Sequence, residues 1–487
     1  MYLGIDLGTS ELKTLLLDPE RGVIAQTGRK LSVSRPQPLW SEQNTDDWVV
    51  ALFAALDQLA ATAPKALRAV RAIGLSGQMH GAVLLDAADA ALRPAILWND
   101  GRSHEDCAAL ERAVPDLQRI SGNLVMPGFT APKLLWVRRR EPEVFERIRR
   151  VLLPKDYLRL VLSGETATDC SDASGTAWFD VARRAWSETL LAACGLDLDS
   201  VPRAVEGNEQ TGTLRRELAA RWGMREDVIV AAGGGDNAAS AVGIGAVSPG
   251  DGFVSLGTSG VIFVVSNAFH PNPANAVHAF CHALPERWHQ MSVMLAAASC
   301  LDWLSTITGS AIGTDLIPAA ERLSDAERET APLFLPYLSG ERTPHNDPSA
   351  RAALLGLVHG HGAAELAYAV MEGVGFGLRD GLTALQATGP AIGELMLVGG
   401  GARSPFWCQL LADQFSVPLT LAEGGATGAA LGAARLAWLA DGGTIVEVCS
   451  KPLTLCRFEP DATRQASLEV RYARFRSAYA ASAHACS

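Results

Sequence analysis

Two stretches of the chain share one pattern of apolar and polar positions. Residues 2–18 read YLGIDLGTSELKTLLLD and residues 251–266 read DGFVSLGTSGVIFVVS, so each places LGTS between two apolar runs. Short runs of strand-forming residues around Gly-Thr-Ser predict a β-hairpin. Because the second copy begins about half a chain length after the first, the pattern predicts a duplicated domain.

Strand and helix patterns alternate between these hairpins and after them. Apolar residues recur at helical spacing in three segments, the first of which follows Thr45 as its predicted N-cap. Two of the short apolar runs end in glycines, which predicts a strand that stops at a tight turn. The predicted helices are 46–61, 363–386 and 461–483, and the predicted strands are 70–76, 82–86, 228–235 and 394–401.

The length of the chain indicates two α/β domains. A chain of 487 residues is longer than one hydrophobic core usually supports. We place the boundary in the glycine-rich segment GIGAVSPG, which gives domains over residues 1–244 and 245–487. The first would carry one LGTS turn and the second domain the other.

Composition and charge narrow the class of protein. A net charge of −11 argues against a general binder of nucleic acids or membrane surfaces, because both select basic faces. The basic run Arg138–Arg140 is followed by glutamates, so it predicts a solvated helix face. Nine cysteines without a CxxC pair, no signal-like N-terminus and no long apolar stretch predict a cytoplasmic protein with reduced thiols.

The LGTS turns are candidate phosphate-binding loops. Glycine, threonine and serine in a tight turn let backbone N–H groups and hydroxyls converge on an anion. Asp6 precedes the first turn and could hold Mg²⁺ through water, while Lys13 follows it and could neutralise a phosphate oxygen. A third glycine cluster, 399–401, ends a predicted strand. The glycine spacing fits neither a Walker A loop nor a Rossmann fingerprint.

Asp236 is the leading candidate for a catalytic base. It stands in GGGDNAAS, on a tight turn between an apolar strand and a predicted helix. A phosphoryl-transfer site needs a group that accepts the proton of the attacking hydroxyl. Aspartate at a helix start is equally typical of an N-cap, so the residues alone leave both roles open.

A histidine and cysteine group could suggest zinc. His278, Cys281, His282 and His289 lie close together in sequence. Their spacing fits no common structural zinc pattern, and His278 and His282 could share one helix face. We therefore predict ordinary packing for these side chains.

Two longer motifs resemble the FGGY carbohydrate kinases. Residues 128–139, GFTAPKLLWVRR, follow the first signature of that family, with Arg140 as a departure at the next position. Residues 352–372, AALLGLVHGHGAAELAYAVME, fit the second signature. The resemblance implies an α/β fold of two ribonuclease H-like domains, as in actin and hexokinase, with the active site in the cleft between them.

The resemblance also implies roles for the candidate residues. Asp236 would be the catalytic base, and Asp6 would hold Mg²⁺ through its water shell. The first turn and the second turn would bind the phosphates of ATP, and the third glycine cluster would face adenosine. Asp302 and Pro405 stand where related glycerol kinases have an amide near the base. The implied nucleotide residues are Gly8, Thr9, Ser10, Lys13, Gly257, Thr258, Gly400, Gly401 and Ala402.

The loop Ser76–Gly81, SGQMHG, resembles the members of the family that phosphorylate D-xylulose. There Met79 and His80 would contact the sugar, with Gln78 beside them and Asn237 helping to hold the ketose. The run 97–103, LWNDGRS, resembles the same members, so Asn99, Asp100 and Arg102 would line or brace the sugar pocket.

The sequence thus predicts transfer of phosphate from ATP to D-xylulose, with ATP and Mg²⁺ as cofactors and no nucleic-acid or membrane partner. A kinase of another pentulose or polyol, such as ribulose, is the alternative within the class. An actin-like or chaperone-like ATPase is the alternative outside it. The oligomeric state stays open, a homodimer included.

Overall fold

The computed structural model describes residues 1–422 and 428–485, and the elements that position the site are numbered in chain order. The first half of the chain forms a seven-stranded sheet with β2 and β3 antiparallel to β1 on one side. On the other side β4 runs parallel to β1, and β6 and β7 run parallel to β4. The strands are β1 (Tyr2–Leu7), β2 (Glu11–Asp18), β3 (Gly22–Lys30), β4 (Ala72–Gly77), β5 (Gln210–Thr213), β6 (Ile229–Ala231) and β7 (Gly234–Gly235).

The second half repeats this arrangement. Its central strand β8 pairs antiparallel with β9 and parallel with β12, as β1 pairs with β2 and β4. Further strands extend the sheet to the order β10-β11-β9-β8-β12-β13-β14. The predicted duplication and both predicted hairpins are confirmed. The strands are β8 (Gly252–Leu256), β9 (Gly260–Ser266), β10 (His278–Cys281), β11 (Trp288–Met294), β12 (Leu395–Val398), β13 (Leu419–Ala422) and β14 (Thr454–Phe458).

Helices cover the two sheets and connect them. The predicted helix 363–386 has the same bounds in the structure, and the first helix begins at Thr45. Its N-cap is Asn44 instead of the predicted Thr45, because the Asn44 carboxamide accepts the N–H of Asp46 at 3.2 Å. The main helices are α1 (Thr45–Thr62), α2 (Thr130–Arg140), α3 (Pro154–Ser163), α4 (Asp236–Gly243), α5 (Ser299–Thr308), α6 (Ala363–Gln386), α7 (Pro405–Phe415), α8 (Gly428–Ala440) and α9 (Ala462–Ala485).

Shorter elements complete the chain. Most of them lie between the first hairpin and β5, where many of their apolar side chains share one core with residues of β8, β9 and β10 in the second half. The short helices are Pro64–Arg68, His104–Ala113, Leu117–Ser121, Pro142–Phe145, Cys170–Ala173, Glu188–Ala193, Arg216–Trp222, Ile317–Glu321, Asp325–Thr330 and Ile445–Val448. The short strands are Glu42–Gln43, Val83–Leu85, Ala95–Ile96, Arg150–Leu152, Ala167–Asp169, Phe179–Asp180, Ala185–Trp186, Arg203–Val205, Leu333–Leu335 and Ala353–Leu355.

Helix α8 joins the halves, because it belongs to the second half of the sequence and packs on the first sheet. A Cβ atom on Gly4 of β1 would lie 1.9 Å from the carbonyl oxygen of Ala430, and one on Gly74 of β4 would lie 1.8 Å from that of Ala433. Only glycine permits this close approach of helix and sheet backbones. The proposed boundary near residue 245 therefore divides the sequence into halves, but α8 from the second half packs on the sheet of the first.

Two further predictions concern surface and membrane. Arg138–Arg140 end α2 with exposed side chains, which confirms the predicted solvated face. Within residues 1–422 and 428–485, no helix is both long enough and apolar enough to cross a membrane.

Candidate active site

Three parallel strands of the first sheet end at one edge and bring the candidate residues together. Asp6 of β1 pairs with Ser76 of β4, and Gly234 of β7 pairs with Ser76 from the other side. The segments that follow β4 and β7 therefore leave the sheet beside the first LGTS turn. Ligands of open α/β sheets bind at the carboxyl ends of such strands. The edge joins Asp6, the loop Gln78–His80 and Asp236.

Asp236 is held so that one carboxylate oxygen stays open. It is the first residue of α4, and Gly235 is the N-cap, so the alternative role of Asp236 as an N-cap is wrong. Its Oδ1 accepts the backbone N–H of Asn237 at 2.7 Å and the Asn237 carboxamide at 2.9 Å. Burial raises the pKa of Asp236 to about 6, against these two bonds. Asn237 thus orients the carboxylate as well as standing beside the predicted sugar position.

Buried charged and polar side chains bind the backbone just before Asp236. Arg159 of α3 donates to the carbonyl oxygen of Ala231 at 2.7 Å, and Ser171 Oγ accepts the N–H of Gly235 at 3.0 Å. Lys155, fully buried, lies 2.8–2.9 Å from carboxylate oxygens of Asp156, Asp169 and Asp172. The sequence reasoning missed this network, although the charged run KDYLR before a strand was a visible signal.

Asp6 is a second carboxylate at the same edge. Burial and then the charge of Asp236 raise the pKa of Asp6 to about 7. Its Oδ1 is enclosed and has no hydrogen-bond partner in the part of the chain that the structure describes. Lys13 lies opposite Asp6 in the hairpin, half exposed, and approaches Glu11 at 3.8 Å. An unpartnered, partly neutralised carboxylate beside a second one suits a divalent cation.

The first LGTS turn is closed into a ring of side-chain hydrogen bonds. Thr9 Oγ1 donates to Gln78 Oε1 at 3.0 Å, Gln78 Nε2 donates to Gln43 Oε1 at 2.9 Å, and Gln43 Nε2 donates to the Thr9 carbonyl at 2.7 Å. Trp48 Nε1 also donates to Gln43 Oε1, and Trp98 Nε1 donates to Thr9 Oγ1. Gln43, Trp48 and Trp98 were not predicted as site residues, because only the tertiary structure brings them to the turn.

This ring changes the roles of two predicted residues. Gln78 is 2% exposed and uses both ends of its carboxamide on Gln43 and Thr9, so it positions the loop instead of contacting a sugar. The Thr9 hydroxyl proton is also used. The N–H groups of Thr9 and Ser10 have no partner among the described residues, and they leave the turn able to bind an anion through its backbone.

The loop after Gln78 presents a neutral histidine. His80 has φ +67°, which is uncommon for a residue with a side chain. Its Nδ1 lies 2.6 Å from the carbonyl oxygen of Gly175 and its ring stacks on Phe129 at 4.8 Å. Burial lowers the pKa of His80 to about 3, so Nδ1 carries the proton and Nε2 can only accept a hydrogen bond. Met79 is 5% exposed, and its side chain lies so close to Gly235 that a Cβ atom at that position would touch it.

The three residues of the LWNDGRS run are placed differently. Asn99 is exposed, whereas the side chains of Asp100 and Arg102 are 0% and 1% exposed and pair with each other at 2.6 Å. Arg102 also binds Glu42 at 2.8 Å, and Asp100 accepts the N–H of Ser41 at 2.6 Å. Asp100 and Arg102 therefore brace the loop of Trp98 and have no surface for a sugar.

The second LGTS turn and the third glycine cluster lie side by side. Strands β8 and β12 are parallel neighbours, so Gly257 and Gly400 follow them at the same edge. Gly399 has φ +94°, and a Cβ atom on Gly401 would lie 2.5 Å from the Leu256 side chain. The Thr258 side chain is exposed while its carbonyl oxygen accepts the Ala297 N–H at 2.9 Å. The predicted second phosphate loop and the adenosine segment 400–402 thus adjoin.

The histidine and cysteine group is part of the second sheet. His278 and Cys281 lie on β10 and His289 on β11, so the suggestion that His278 and His282 share a helix face is wrong. All four residues of β10 are buried, so these side chains pack inside the molecule. Among the described residues, no cluster of three or more His, Cys, Asp or Glu could hold a metal ion.

Comparison with known families identifies the fold. Residues 1–243 match the N-terminal domain of the FGGY family of carbohydrate kinases, and residues 252–440 match its C-terminal domain. The chain belongs to the FGGY family. Its two ribonuclease H-like sheets are the duplicated, actin-like fold of these kinases.

Individual FGGY kinases resemble the whole chain. The xylulose kinase of Escherichia coli (strain K12) is 53% identical over 483 residues, 98% of each chain. The xylulose kinase of Klebsiella pneumoniae is 54% identical over 441 residues, 90% of each chain. The crystal structure of a xyloylose kinase from Brucella ovis covers all of both chains with 50% identity and a TM-score of 0.96. The chain is therefore a sugar kinase, a phosphotransferase of this family.

Proposed function

We propose that this FGGY kinase transfers the terminal phosphoryl group of ATP to D-xylulose and forms D-xylulose 5-phosphate and ADP in the cytoplasm. The observation that carries the proposal is the junction of Asp236 with the Met79–His80 loop at one sheet edge, beside the first LGTS turn. The 53% identity with a xylulose kinase over nearly the whole chain supports the choice of sugar.

Asp236 is the base in this reaction. Its Oδ1 is held by Asn237, and no hydrogen bond to Oδ2 occurs within the described residues. Oδ2 accepts the proton of the C5 hydroxyl as that oxygen bonds to the γ-phosphorus and the bond to the leaving ADP oxygen breaks. A pKa of about 6 leaves the carboxylate ionised at neutral pH, yet basic enough to take the proton.

The phosphates lie between the two turns. The free N–H groups of Thr9 and Ser10 bind from the first half, and Gly257 and Thr258 bind from the second. Lys13 is near enough to Asp6 to lower its pKa and reaches the same phosphates. The segment Gly400–Ala402 adjoins the second turn and contacts adenosine.

The residues at this edge fit Mg²⁺. Asp6 has an enclosed oxygen without a partner and a pKa raised by burial and by Asp236, both of which a cation would relieve. Asp6 would hold the ion through water, as is usual when Mg²⁺ accompanies nucleotide phosphates. When bound, the ion offsets charge on the phosphate oxygens.

A coupled assay of ADP release over a panel of acceptors tests the proposal. The panel is D-xylulose, D-ribulose, L-ribulose, glycerol and no sugar, with the phosphorylated product identified by mass spectrometry. We expect the highest kcat/KM for D-xylulose. A higher value for another acceptor would overturn the choice of substrate, and slow turnover indifferent to sugar would indicate an ATPase instead.

A further inference from the structure

Arg342 of the second half stands at the junction with the sugar loop. Its neighbours fix its backbone, because Glu341 accepts the N–H of Leu295 at 3.1 Å and the N–H of Thr343 donates to Val293 at 3.1 Å. Both partners belong to β11 or follow it directly. Arg342 therefore lies alongside β11, next to β10.

The Arg342 guanidinium forms no ion pair with a carboxylate among the described residues, although Glu341 is near enough for its charge to raise the pKa of Arg342 against burial. Among residues 1–422 and 428–485, no carboxylate oxygen lies within 4.0 Å of it, and burial lowers the pKa of Arg342. Glu341, adjacent in sequence, uses its carboxylate on the backbone N–H groups of Arg342 and Leu295. Within the part of the chain that the structure describes, the one side-chain hydrogen bond of Arg342 joins its Nη1 to His278 Nε2 at 3.4 Å. A guanidinium has five N–H donors, so most of them are left for a ligand or water.

His278 orients this guanidinium. The Asn123 carboxamide donates to the Ser121 carbonyl at 2.6 Å and to the Ala279 carbonyl at 3.0 Å, so its oxygen is the acceptor for His278 Nδ1 at 3.3 Å. His278 Nδ1 then carries the proton and Nε2 faces Arg342 as an acceptor. Burial and the charge of Arg342 keep the pKa of His278 well below its usual range, which agrees with a neutral ring.

Arg342 and His80 flank one aromatic patch. The Phe129 ring lies 4.8 Å from that of His80 and 5.7 Å from that of His278, and Phe280 lies 6.1 Å and 5.4 Å from the same two rings. Besides burial, the charge of Lys133 and then that of Arg342 lower the pKa of His80. The guanidinium thus approaches the sugar loop from the opposite half of the molecule.

The hydrogen-bond roles of the two groups are complementary. His80 Nε2 has no proton, so it can accept from a sugar hydroxyl but cannot bind a carbonyl oxygen. Arg342 can only donate, and it has donors to spare. A ketose differs from the corresponding polyol in one group, a carbonyl oxygen that only accepts. The site needs a donor for that oxygen. Lys133 also lies at this loop, but it is fully buried and donates to the His80 carbonyl oxygen at 2.8 Å. Arg342, by contrast, is only partly buried, and its guanidinium lies beside His278.

We propose that Arg342 is a specificity-determining residue, which donates to the carbonyl oxygen of the open-chain ketose and thereby selects ketoses over polyols. This inference rests on the proposed D-xylulose kinase activity. His278 and Asn123 are positioning residues that aim the guanidinium.

The test compares D-xylulose with xylitol and D-arabinitol, the two pentitols formed when its carbonyl group is reduced. For wild type, Arg342→Lys and Arg342→Gln, kcat/KM is measured for each acceptor, or the competitive inhibition constant where a pentitol turns over too slowly. A bond from a charged donor contributes about 1.5–3 kcal/mol, or roughly 10- to 150-fold. Arg342→Gln should lower the ketose-to-pentitol ratio by that factor, with Arg342→Lys between the two and the KM for ATP unchanged.

Controls separate this result from general damage. Arg351 is exposed and binds only nearby carbonyl groups, so Arg351→Gln should leave the ratio unchanged. Added guanidinium ion should partly restore D-xylulose turnover to an Arg342→Ala variant and not to an Asp236 variant. If D-xylulose is not a substrate of the wild type, the proposed function fails. If it is, and Arg342→Gln keeps the wild-type ratio, the inference about Arg342 is wrong.

Discussion

The two LGTS turns have the same four residues in the same kind of hairpin, yet their threonines are held differently. The Thr9 side chain is part of a buried ring with Gln78 and Gln43. The Thr258 side chain is exposed, and its turn is fixed through backbone carbonyls that accept N–H groups from 297–299. A duplicated backbone thus provides two similar turns, both proposed to bind phosphate, of which the first is also bonded to the Gln78–His80 loop.

The largest expected effect concerns Asp236. This carboxylate lies beside the first LGTS turn and not beside the second. Asp236→Asn removes the proton acceptor while keeping the shape of the side chain. The kcat should fall by at least ~10²-fold, the contribution of a positioned general base, with the KM for ATP nearly unchanged. The measurement is the coupled ADP assay on protein whose thermal unfolding matches the wild type. Near wild-type turnover would contradict the role of Asp236 as the base, and with it the chemical difference between the two halves.

Breaking the ring should have the next largest effect. Gln43→Leu leaves the Trp48 indole, the Gln78 carboxamide and the Thr9 carbonyl without this buried partner. The free energy of unfolding should therefore fall by ~1–3 kcal/mol. If the turn and the sugar loop then separate, kcat/KM falls by roughly 5- to 150-fold. Chemical denaturation and steady-state kinetics measure the two quantities. Gln26→Leu, at an exposed position of β3, is the control. Equal behaviour of the two variants would contradict the role of the ring.

The acid limb of the pH profile should report the two carboxylates of the first half. Asp236 must be ionised to accept a proton, so its pKa of about 6 predicts that kcat falls about tenfold per pH unit below that value. Protons compete with Mg²⁺ at Asp6, whose pKa is raised to about 7. The Mg²⁺ concentration for half-maximal rate should therefore rise as the pH falls below 7. An acid limb near pH 4 would show that the pKa values of these carboxyl groups are not raised.

The smallest effect should come from the matched pair Thr258→Val and Thr9→Val. Thr258→Val removes an exposed hydroxyl. The KM for ATP should rise by roughly 2- to 10-fold, which corresponds to the loss of one net hydrogen bond, and Tm should not change. Thr9→Val removes the ring donor to Gln78 and should lower Tm. Differential scanning fluorimetry and ATP titrations compare the two. Similar effects of both variants would mean that the turns are equivalent.

Local sequence was sufficient for the two hairpins, for α6 and for the duplicated architecture, whereas the predicted strand 228–235 is two strands, β6 and β7, in the structure. Apolar periodicity specified the hairpins and α6, because strand alternation and helical spacing are properties of neighbouring residues. The same reasoning failed for His278 and His282, where a strand continues into a turn and the residue spacing also permitted a helix.

The roles of site residues depended on partners that are distant in sequence. Gln78 and Arg102 are polar residues in the right loops, but their partners Gln43 and Glu42 lie far earlier in the chain. No local pattern shows that a carboxamide or guanidinium has already used its donors. Burial decides this, since an enclosed polar group must be satisfied by whatever surrounds it.

The sequence by itself therefore determined the two-domain kinase fold, the two turns and Asp236 as a candidate, because motifs and periodicity are local. The tertiary structure alone decided that Asp236 begins a helix with one oxygen free, and that Thr9 is held while Thr258 is exposed. It also placed Arg342 beside His278. Protonation, hydrogen-bond saturation and charge pairing depend on three-dimensional neighbours, which residue order does not specify.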